Sequence, residues 1–438
     1  MEWYWALTMM LGLLCLMMAA GLPVAFAFMG VNIVGAAVFL GGVPGLNQMI
    51  RNAMEALTNF SLAPIPLFLF MGEVLFHTGV AFKAIDAVDK LIARLPGRLS
   101  IVSIVGGTVF SSLSGSTIAN TAVLGSVLLP DMMRRGYHPT MAMGPIMATG
   151  GIAMLIPPSA LAVLLGSLAG ISISGLLIAG IVPGILMSIL FFLYVLIRCS
   201  LNPSLAPAYD VQHLEPWQRW RPFLVYVVPL FLIFIVVVGS ILAGWATPTE
   251  SAALGCVAAL AAAAAYRSLT WAGFLKSVRE TAKVSVMILF IIVASVTFSQ
   301  ILAFSGATNG LLDLIDSVGA TPVLILLAML LILLLLGAFM DQVSMVMITL
   351  PFYIPLAQAV GFDLLWFGVL MLIVMEISFT TPPFGLLIYV MKGVAPKNIT
   401  LGQIYAAAFP FIILELIVLA LLVAVPDLAT WLPQQIRR

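Results

Sequence analysis

The sequence predicts an all-α polytopic membrane protein built from two inverted repeats, each with about five transmembrane helices and one re-entrant helical hairpin. Hydrophobic residues make up 63% of its 438 residues and charged residues only 8%. A soluble domain carries about 25% charged residues, so this chain has too little polar surface to face water on all sides. Apolar stretches of about 20 residues, enough to cross a bilayer as a helix, recur along the chain. Helix breakers also recur at a constant spacing, which indicates two related halves.

The composition excludes several classes of function. The formal net charge of +1 at pH 7 provides no extended positive field, so we expect no nucleic-acid partner. The three cysteines, Cys15, Cys199 and Cys256, lack the spacing of a metal or redox site. We interpret them as small apolar packing residues. A soluble enzyme and a disordered regulator are excluded by the scarcity of charge.

Proline and glycine positions repeat along the chain. The pairs offset by 225 residues are Pro23 and Pro248, Gly30 and Gly255, Pro130 and Pro355, Gly136 and Gly361, Pro157 and Pro382, and Pro158 and Pro383. Two later pairs, Gly175 with Gly402 and Pro183 with Pro410, are offset by 227 residues. Because so many helix breakers rarely coincide by chance, we predict a first repeat over 1–205 and a second over 222–438. The polar segment 206–221 is the expected linker.

The first repeat contains one hairpin and one broken helix. Its expected elements are spans near 5–20, 22–41 and 60–79, a charged amphipathic stretch over 83–98, a hairpin over about 99–133, a broken helix over 139–168 and a span over 174–198. The hairpin arms are too short to cross an apolar layer of about 30 Å at about 1.5 Å per residue. We therefore expect the hairpin to enter and leave on one side. Pro157 and Pro158 break the later helix because they remove two N–H donors.

The second repeat follows the same order. Its expected elements are spans near 222–243, 248–266 and 282–304, a hairpin over about 321–359, a helix over 363–391 broken at Thr380-Thr381-Pro382-Pro383, and a span over 400–424. Five spans per repeat is an odd number, so the two repeats must have opposite orientations in the membrane.

Basic residues predict the orientation, because cytoplasmic loops are rich in Lys and Arg. They concentrate in 83–98, at the end of the first hairpin, around the linker and after the second broken helix. We assign this side, including the linker 206–221, to the cytoplasm. The terminal Arg437 and Arg438 then fall on the outer side, against the rule.

The broken helices and hairpin tips are the candidate functional segments. Irregular backbone inside a membrane is tolerated only within protein or around a watery cavity. Paired broken helices are typical of transporters, in which unwound carbonyl groups and helix ends hold cations and substrate. The first hairpin tip and its flank supply neutral oxygens suited to a hard cation such as sodium, from Ser112, Ser114, Ser116 and Asn120.

Acidic residues in apolar segments form a second set of candidates, since a carboxylate inside a membrane is costly. Asp341 lies in the second tip, although a position on the outer surface is the alternative. Glu376 lies one turn before the second break, and Glu73 and Glu415 also fall within apolar spans. These glutamates could bind cations, relay protons or pair with a partner subunit.

Several motifs occur in order in the two halves. They are "GSVLLPDMMRRGYHP", "IPPSA", "ATPTESAA", "GAFMD" and "EISFTTPPFG", together with Ser114-Gly115-Ser116. Over nearly its whole length the chain resembles the large, DctM-like membrane subunit of tripartite ATP-independent periplasmic (TRAP) transporters.

The resemblance implies an ion-transporter-superfamily fold with a scaffold domain and an elevator-type transport domain. It implies uptake of an organic acid, commonly a carboxylate or sialic acid, driven by a sodium gradient across the bacterial inner membrane. The implied partners are a small four-helix membrane subunit, expected as a separate polypeptide, and a periplasmic substrate-binding protein. No enzymatic activity and no cofactor beyond sodium ions are expected.

The resemblance also implies two sodium sites and a substrate site. The first sodium site would use Ser112, Ser114, Gly115, Ser116 and Asn120 with Ile156 and Pro157. The second would use Gly337, Met340 and Asp341 with Thr380, Thr381 and Pro382. The substrate would contact Ser116, Ser159, Asp341, Thr381 and Pro383. The second tip lacks the hydroxyl-rich run of the first, since Met340 aligns with Gly115, so the two cation sites need not be equivalent.

Three alternatives remain at this point. A stand-alone sodium- or proton-coupled carboxylate symporter of the same superfamily would need no binding protein. An intramembrane enzyme lacks support, because the H-E-x-x-H and G-x-S-x-G motifs are absent and only His77, His138 and His213 are available as imidazole bases. A channel would need a ring of subunits or a lined pore, whereas this repeat is internal and inverted.

Overall fold

The computed structural model describes residues 2–92, 95–207, 215–383 and 385–436, and only the backbone at 81, 112–114, 216 and 436. All regular secondary structure in these ranges is helical. Seven helical segments in the described ranges are long and apolar enough to cross a membrane: Phe60–His77, Ile173–Leu201, Trp217–Leu242, Pro248–Ala265, Trp271–Phe304, Gln342–Val360 and Leu401–Ala424. The chain is therefore an all-α polytopic membrane protein, as its composition predicts.

Among its described residues, the first half contains eleven α-helices. They are α1 (Trp3–Ala19), α2 (Val24–Phe39), α3 (Val43–Thr58), α4 (Pro64–His77), α5 (Val80–Leu91), α6 (Arg98–Ser114), α7 (Thr117–Arg134), α8 (Pro139–Ile152), α9 (Ala160–Ala169), α10 (Ile173–Ala179) and α11 (Ile181–Leu201). The expected first hairpin corresponds to α6 and α7, and the expected broken helix to α8 and α9. Short 3₁₀ turns precede α4 and follow α11.

The second half has the same number of α-helices in the described ranges. They are α12 (Pro216–Pro222), α13 (Val228–Leu242), α14 (Pro248–Ala265), α15 (Trp271–Phe304), α16 (Ala307–Val318), α17 (Pro322–Leu336), α18 (Gln342–Val360), α19 (Leu364–Thr380), α20 (Leu386–Val394), α21 (Leu401–Ala424) and α22 (Asp427–Ile436). The expected second hairpin corresponds to α17 and α18, and the broken helix to α19 and α20. A π-helical turn, Phe223–Val227, joins α12 to α13.

Several elements differ from the sequence expectations. Helices α3, α16 and α22 were not expected, because a search for continuous apolar runs misses amphipathic helices. Helix α15 begins at Trp271 rather than near 282, since its first turns carry charged residues. The expected linker 206–221 includes most of α12. The rest of that linker at 208–214, with His213, lies outside the described residues, as do Arg437 and Arg438.

The helices pack in two groups. Helix α4 packs against α14 and α15, and α15 also contacts α2 and α3. We call this assembly, with α1 and α13, the α4–α15 group. Helix α8 packs against α6, α7 and α21, while α19 packs against α17, α18, α20 and α21. We call the second assembly, with α9, α10, α11 and α22, the hairpin group. The two groups meet where α4 contacts α6 and α9 and where α15 contacts α18.

Two amphipathic helices connect the groups along the chain. Helix α5 follows α4 and leads into α6, and α16 follows α15 and leads into α17. Arg98 at the start of α6 binds Asp89 of α5 through two hydrogen bonds, Nε to Oδ1 at 2.8 Å and Nη2 to Oδ2 at 2.6 Å. Arg219 of α12 donates to the Leu91 carbonyl oxygen at 3.2 Å. Polar contacts therefore join α5 to both α6 and α12.

Candidate functional site

The first hairpin tip contacts the first helix break. Gly115 ends α6 with φ 58°, a left-handed conformation that glycine adopts without a steric penalty. A Cβ atom built on Gly115 would lie 3.1 Å from the Pro158 carbonyl oxygen. The absence of a side chain therefore allows the tip to approach the break closely. The Pro157–Pro158 peptide bond is cis, as is Pro382–Pro383 in the second half.

Serine hydroxyls begin the helix on each side of this contact. Ser116 Oγ accepts a hydrogen bond from the Ala119 N–H at 3.3 Å and caps α7. Ser159 Oγ accepts from the Ala162 N–H at 3.2 Å and caps α9. Both helices start where the tip meets the break, so their partly positive N-terminal ends lie in this region. Such ends attract anions.

A buried amide oxygen in the first turn of α7 has no protein partner. Asn120 is fully buried on the first turn of α7. Its Nδ2 donates to the Thr149 carbonyl oxygen at 3.1 Å and to Ser111 Oγ. Its Oδ1 is buried and has no hydrogen-bond partner. A buried polar atom is normally satisfied, so this oxygen is a ready ligand for a cation.

The second tip is organised around Asp341. Its carboxylate caps α18 by accepting hydrogen bonds from the N–H groups of Val343 at 3.0 Å and Ser344 at 3.2 Å, and from the Ser344 hydroxyl. A cavity of about 420 Å³ adjoins the tip and is lined by Gly337, Ala338, Phe339, Met340, Asp341 and Leu386. Asp341 therefore has a structural role as a helix cap and also faces an open cavity.

The second tip packs against the helix before the second break. A Cβ atom on Gly337 would overlap the Ser378 side chain. The hydroxyls of Thr380 and Thr381 both donate back to the Ile377 carbonyl oxygen, at 3.1 and 2.6 Å. The Pro383 carbonyl oxygen accepts from the Tyr405 hydroxyl at 2.7 Å. Both threonine hydroxyls and the Pro383 carbonyl oxygen of the second break are therefore already hydrogen-bonded.

Glu376 joins the two halves of the site. Its side chain is fully buried on α19. Thr117, first in α7, lies close to the Glu376 carboxyl group. Gln342, first in α18, donates from Nε2 to Glu376 Oε2 at 3.5 Å. A Cβ on Gly151 of α8 would lie 2.8 Å from Glu376 Oε1. The first residues of α7 and α18, the second arms of the two hairpins, thus converge on one carboxyl group.

The sequence model of the family described as "Tripartite ATP-independent periplasmic transporter, DctM component" matches residues 11–428. This chain belongs to the DctM family of TRAP large permeases. The permease is therefore a multi-pass protein of the bacterial inner membrane and a transporter rather than an enzyme.

Curated relatives cover nearly the whole chain. The C4-dicarboxylate TRAP transporter large permease protein DctM of Pseudomonas aeruginosa is 29% identical over 397 residues, covering 90% of this chain and 91% of the relative. The sialic acid permease SiaM of Vibrio cholerae is 28% identical over 416 residues, or 95% of each chain. The 2,3-diketo-L-gulonate permease YiaN of Escherichia coli is 30% identical over 427 residues, covering 97% and 98%.

Solved structures support the fold. The YdaH transporter of Alcanivorax borkumensis matches with a TM-score of 0.64 over 93% of this chain and 97% of its own. Only 14% of aligned residues are identical, so this likeness concerns the fold alone. MtrF of Neisseria gonorrhoeae matches with a TM-score of 0.58 and 15% identity over 89% and 85% of the two chains.

The structure of the permease brings together some of the expected site residues and separates others. Gly115 contacts the first break, Ser116 directly follows Gly115 and Asn120 contacts Thr149 of α8, whereas the side chains of Ser112 and Ser114 lie outside the described residues. Ile156 packs against Gly184 of α11, where a Cβ would lie 2.6 Å from Ile156 Cγ1. Pro157 lies in the first break, between α8 and α9, and Pro382 lies in the second, between α19 and α20.

Glu73 has its partners in the α4–α15 group. Its Oε2 lies 3.1 Å from His77 Nε2, one turn later on α4. Its backbone carbonyl oxygen accepts from Ser277 of α15 at 3.1 Å. None of these described contacts involves a hairpin tip, so Glu73 lies apart from the site around Glu376.

Two contacts of Glu376 were missed by reasoning from the sequence. Thr117 and Gln342 directly follow the tip residues Ser116 and Asp341 and were not selected. The sequence signal was a polar residue at the first position of the second arm of each hairpin. Its role could be recognised only in the folded chain, where both residues lie beside the same carboxyl group.

Proposed function

We propose that the permease carries out sodium-driven uptake of an organic acid by an elevator mechanism, with the acid delivered by a periplasmic binding protein. The observation that supports this best is the contact between the first tip and the first break. Gly115 lies against the Pro158 carbonyl oxygen, and Asn120 in the first turn of the helix that follows this tip has a buried Oδ1 without a hydrogen-bond partner. Neutral oxygens at an interrupted helix are suited to a desolvated monovalent cation.

The first proposed sodium site combines the tip with the break. Its ligands would come from Gly115, Ser116 and Asn120 on the hairpin, with Ser112 and Ser114, and from Ile156 and Pro157 on the broken helix. The second site would use Gly337, Met340 and Asp341 with Thr380, Thr381 and Pro382. Since the threonine hydroxyls of the second break already bond to Ile377, carbonyl groups are the better ligands there.

The proposed substrate site lies between the tips, where Ser116, Ser159, Asp341, Thr381 and Pro383 would contact the acid. The N-terminal ends of α7 and α9 favour an anion in this region. The relatives named for C4-dicarboxylate, sialic acid and 2,3-diketo-L-gulonate all carry organic acids. These relatives and the helix ends support our proposal of a carboxylate or sialic acid type of substrate for this permease.

The proposed elevator movement carries the hairpin group past the α4–α15 group. The two groups are distinct packed assemblies and are joined along the chain by α5 and α16. Both connecting helices are bounded by positive-φ glycines: Gly79 before α5, and Gly306 and Gly319 around α16. Such residues can change backbone direction readily.

The proposed partners are a small four-helix membrane subunit and a periplasmic substrate-binding protein, since the family is tripartite by its description. The decisive experiment is reconstitution in liposomes with C4-dicarboxylate, sialic acid and diketogulonate as trial substrates. We expect uptake only with both partners present and an inward sodium gradient, and none when choline replaces sodium. Full uptake by this chain alone would favour the stand-alone symporter, and uptake driven by a proton gradient without sodium would contradict sodium coupling.

A further inference from the structure

Two glutamates are buried on adjacent helices in the interior of the hairpin group. Glu376 on α19 is 0% exposed and Glu415 on α21 is 1% exposed. The two helices are antiparallel, since Trp366 Nε1 near the start of α19 donates to the Leu422 carbonyl oxygen near the end of α21 at 2.7 Å. Measured from this contact in the same direction, Glu376 lies about 15 Å along α19 and Glu415 about 10 Å along α21, so the two residues are at similar depths. Helices α19 and α21 pack directly against each other.

Neither carboxyl group is neutralised by a basic side chain. The ion pairs among the described residues involve neither Glu376 nor Glu415. Helices α8, α9, α10 and α17, which pack nearby, contain no ionisable side chain.

The ionisable groups on the remaining neighbouring helices have other partners, are exposed, or lie on α11. Three of them donate to backbone carbonyl oxygens: Tyr353 on α18 to Met329, Lys392 on α20 to Ile399, and Tyr405 on α21 to Pro383. On α7, Asp131 and Arg134 pair with each other. The others are Tyr389 on α20, Asp427 on α22, and Tyr194, Arg198 and Cys199 on α11. Of these, Tyr389, Arg198 and Asp427 are exposed.

Each glutamate also has one oxygen atom without a hydrogen-bond partner. These buried atoms are Glu376 Oε1 and Glu415 Oε2. Two adjacent carboxylates in a nonpolar interior repel each other and lose their hydration. A proton removes a charge and converts an unpartnered acceptor into a donor. We propose that Glu376 and Glu415 form a proton-binding pair that holds at least one proton and exchanges it during the transport cycle.

Gln342 provides the route between this pair and water. It directly follows Asp341, which lines the cavity of about 420 Å³ at the second tip. Its Nε2 lies 3.5 Å from Glu376 Oε2 and 3.2 Å from Met154 Sδ, so its side chain links the second tip to Glu376. Displacement of the tip would uncover the carboxyl group. Release then breaks the carboxyl O–H bond, transfers the proton to cavity water and leaves a carboxylate facing Thr117; uptake reverses these steps.

Infrared spectroscopy of the purified permease tests the proton directly, because a protonated carboxyl group has a distinct C=O stretching band. At neutral pH with sodium present, we expect such a band in the wild type, and its loss or shift in both E376Q and E415Q. E55Q is the matched control, since Glu55 is exposed on α3. A band absent from the wild type, or identical in all four proteins, would overturn the pair. Because E415Q leaves Glu376 in place, it decides the question if E376Q does not fold.

Proton exchange rests on the proposed transport function, so it is measured separately. In the reconstituted uptake assay with a pH-sensitive dye inside the liposomes, we expect proton movement with the substrate. E415Q should lose that movement while keeping its sodium dependence. Uptake without proton movement in the wild type would overturn the exchange. If the wild type takes up no substrate, the proposed function fails, whereas the infrared band still decides whether the pair binds a proton.

Discussion

Gly115 at the first hairpin tip lies directly against the carbonyl oxygen of Pro158 in the first broken helix. A Cβ atom on this glycine would approach that oxygen to 3.1 Å, and the backbone has φ 58°. The contact joins segments more than 40 residues apart and brings the tip to the carbonyl groups that the prolines leave without helical donors.

Replacement of Gly115 by alanine should weaken the response to sodium. The left-handed backbone costs an alanine about 1–2 kcal/mol, and the added methyl group moves the tip away from Pro158. We expect G115A to need a several-fold higher sodium concentration for half-maximal uptake. The control is G361A, since Gly361 also ends a helix with positive φ but has nothing within 4 Å of the added Cβ. Equal sodium responses in the two variants, with equally lowered melting temperatures, would reduce the role of Gly115 to backbone strain.

The first break should be required for sodium-dependent uptake. Alanines at Pro157 and Pro158 restore two N–H donors, so the chain can continue the helix from α8 and withdraw the free carbonyl groups. We expect P157A/P158A to be expressed and inserted but to lose sodium-dependent uptake. P322A is the control, because Pro322 is exposed at the first position of α17, where the helix needs no N–H donor. Uptake with wild-type sodium dependence in the double variant would argue against a cation site at this break.

The positions of the hairpins and breaks could be predicted because their signals are local. Adjacent prolines, glycine- or serine-rich tips and their repeat at a fixed offset act within a few residues, and helices end at those positions in the structure. Helices α3 and α16 were missed because they are amphipathic and carry charge. The convergence of Thr117 and Gln342 on Glu376 could not be predicted, since it depends on how four segments pack.

Asp341 illustrates the same limit at a single residue. Its position in an apolar hairpin suggests a cation ligand, whereas its three hydrogen bonds at the start of α18 are those of a helix cap. Sequence alone does not distinguish these roles, because both require an oxygen at the tip. An asparagine at this position would keep an oxygen for the helix cap but remove the negative charge, so the substitution distinguishes the two roles.

Substitution of Asp341 by asparagine should separate these roles. Asparagine caps helices about as well as aspartate, so we expect D341N to retain its melting temperature within a few degrees. Loss of the negative charge beside the cavity should lower apparent sodium affinity by a factor of about 10 if the lost interaction is worth about 1.4 kcal/mol. The control is D316N, since Asp316 is exposed on α16. Equally small changes in the sodium titrations of both variants would leave Asp341 only as a cap.

The ion pair between Arg98 and Asp89 should stabilise the connection between α5 and α6. The side chains are 10% and 25% exposed, so removing Arg98 leaves a largely buried carboxylate without its partner. We expect R98A to lose about 3 kcal/mol of stability, the lower end of the range for a broken buried pair, measured as a lower melting temperature in detergent. In R134A the lost pair with Asp131 is on the surface, with Arg134 79% exposed, and should change stability by less than about 1 kcal/mol. Similar melting temperatures for R98A and R134A would show that α5 is held by its apolar packing, with the ion pair contributing little.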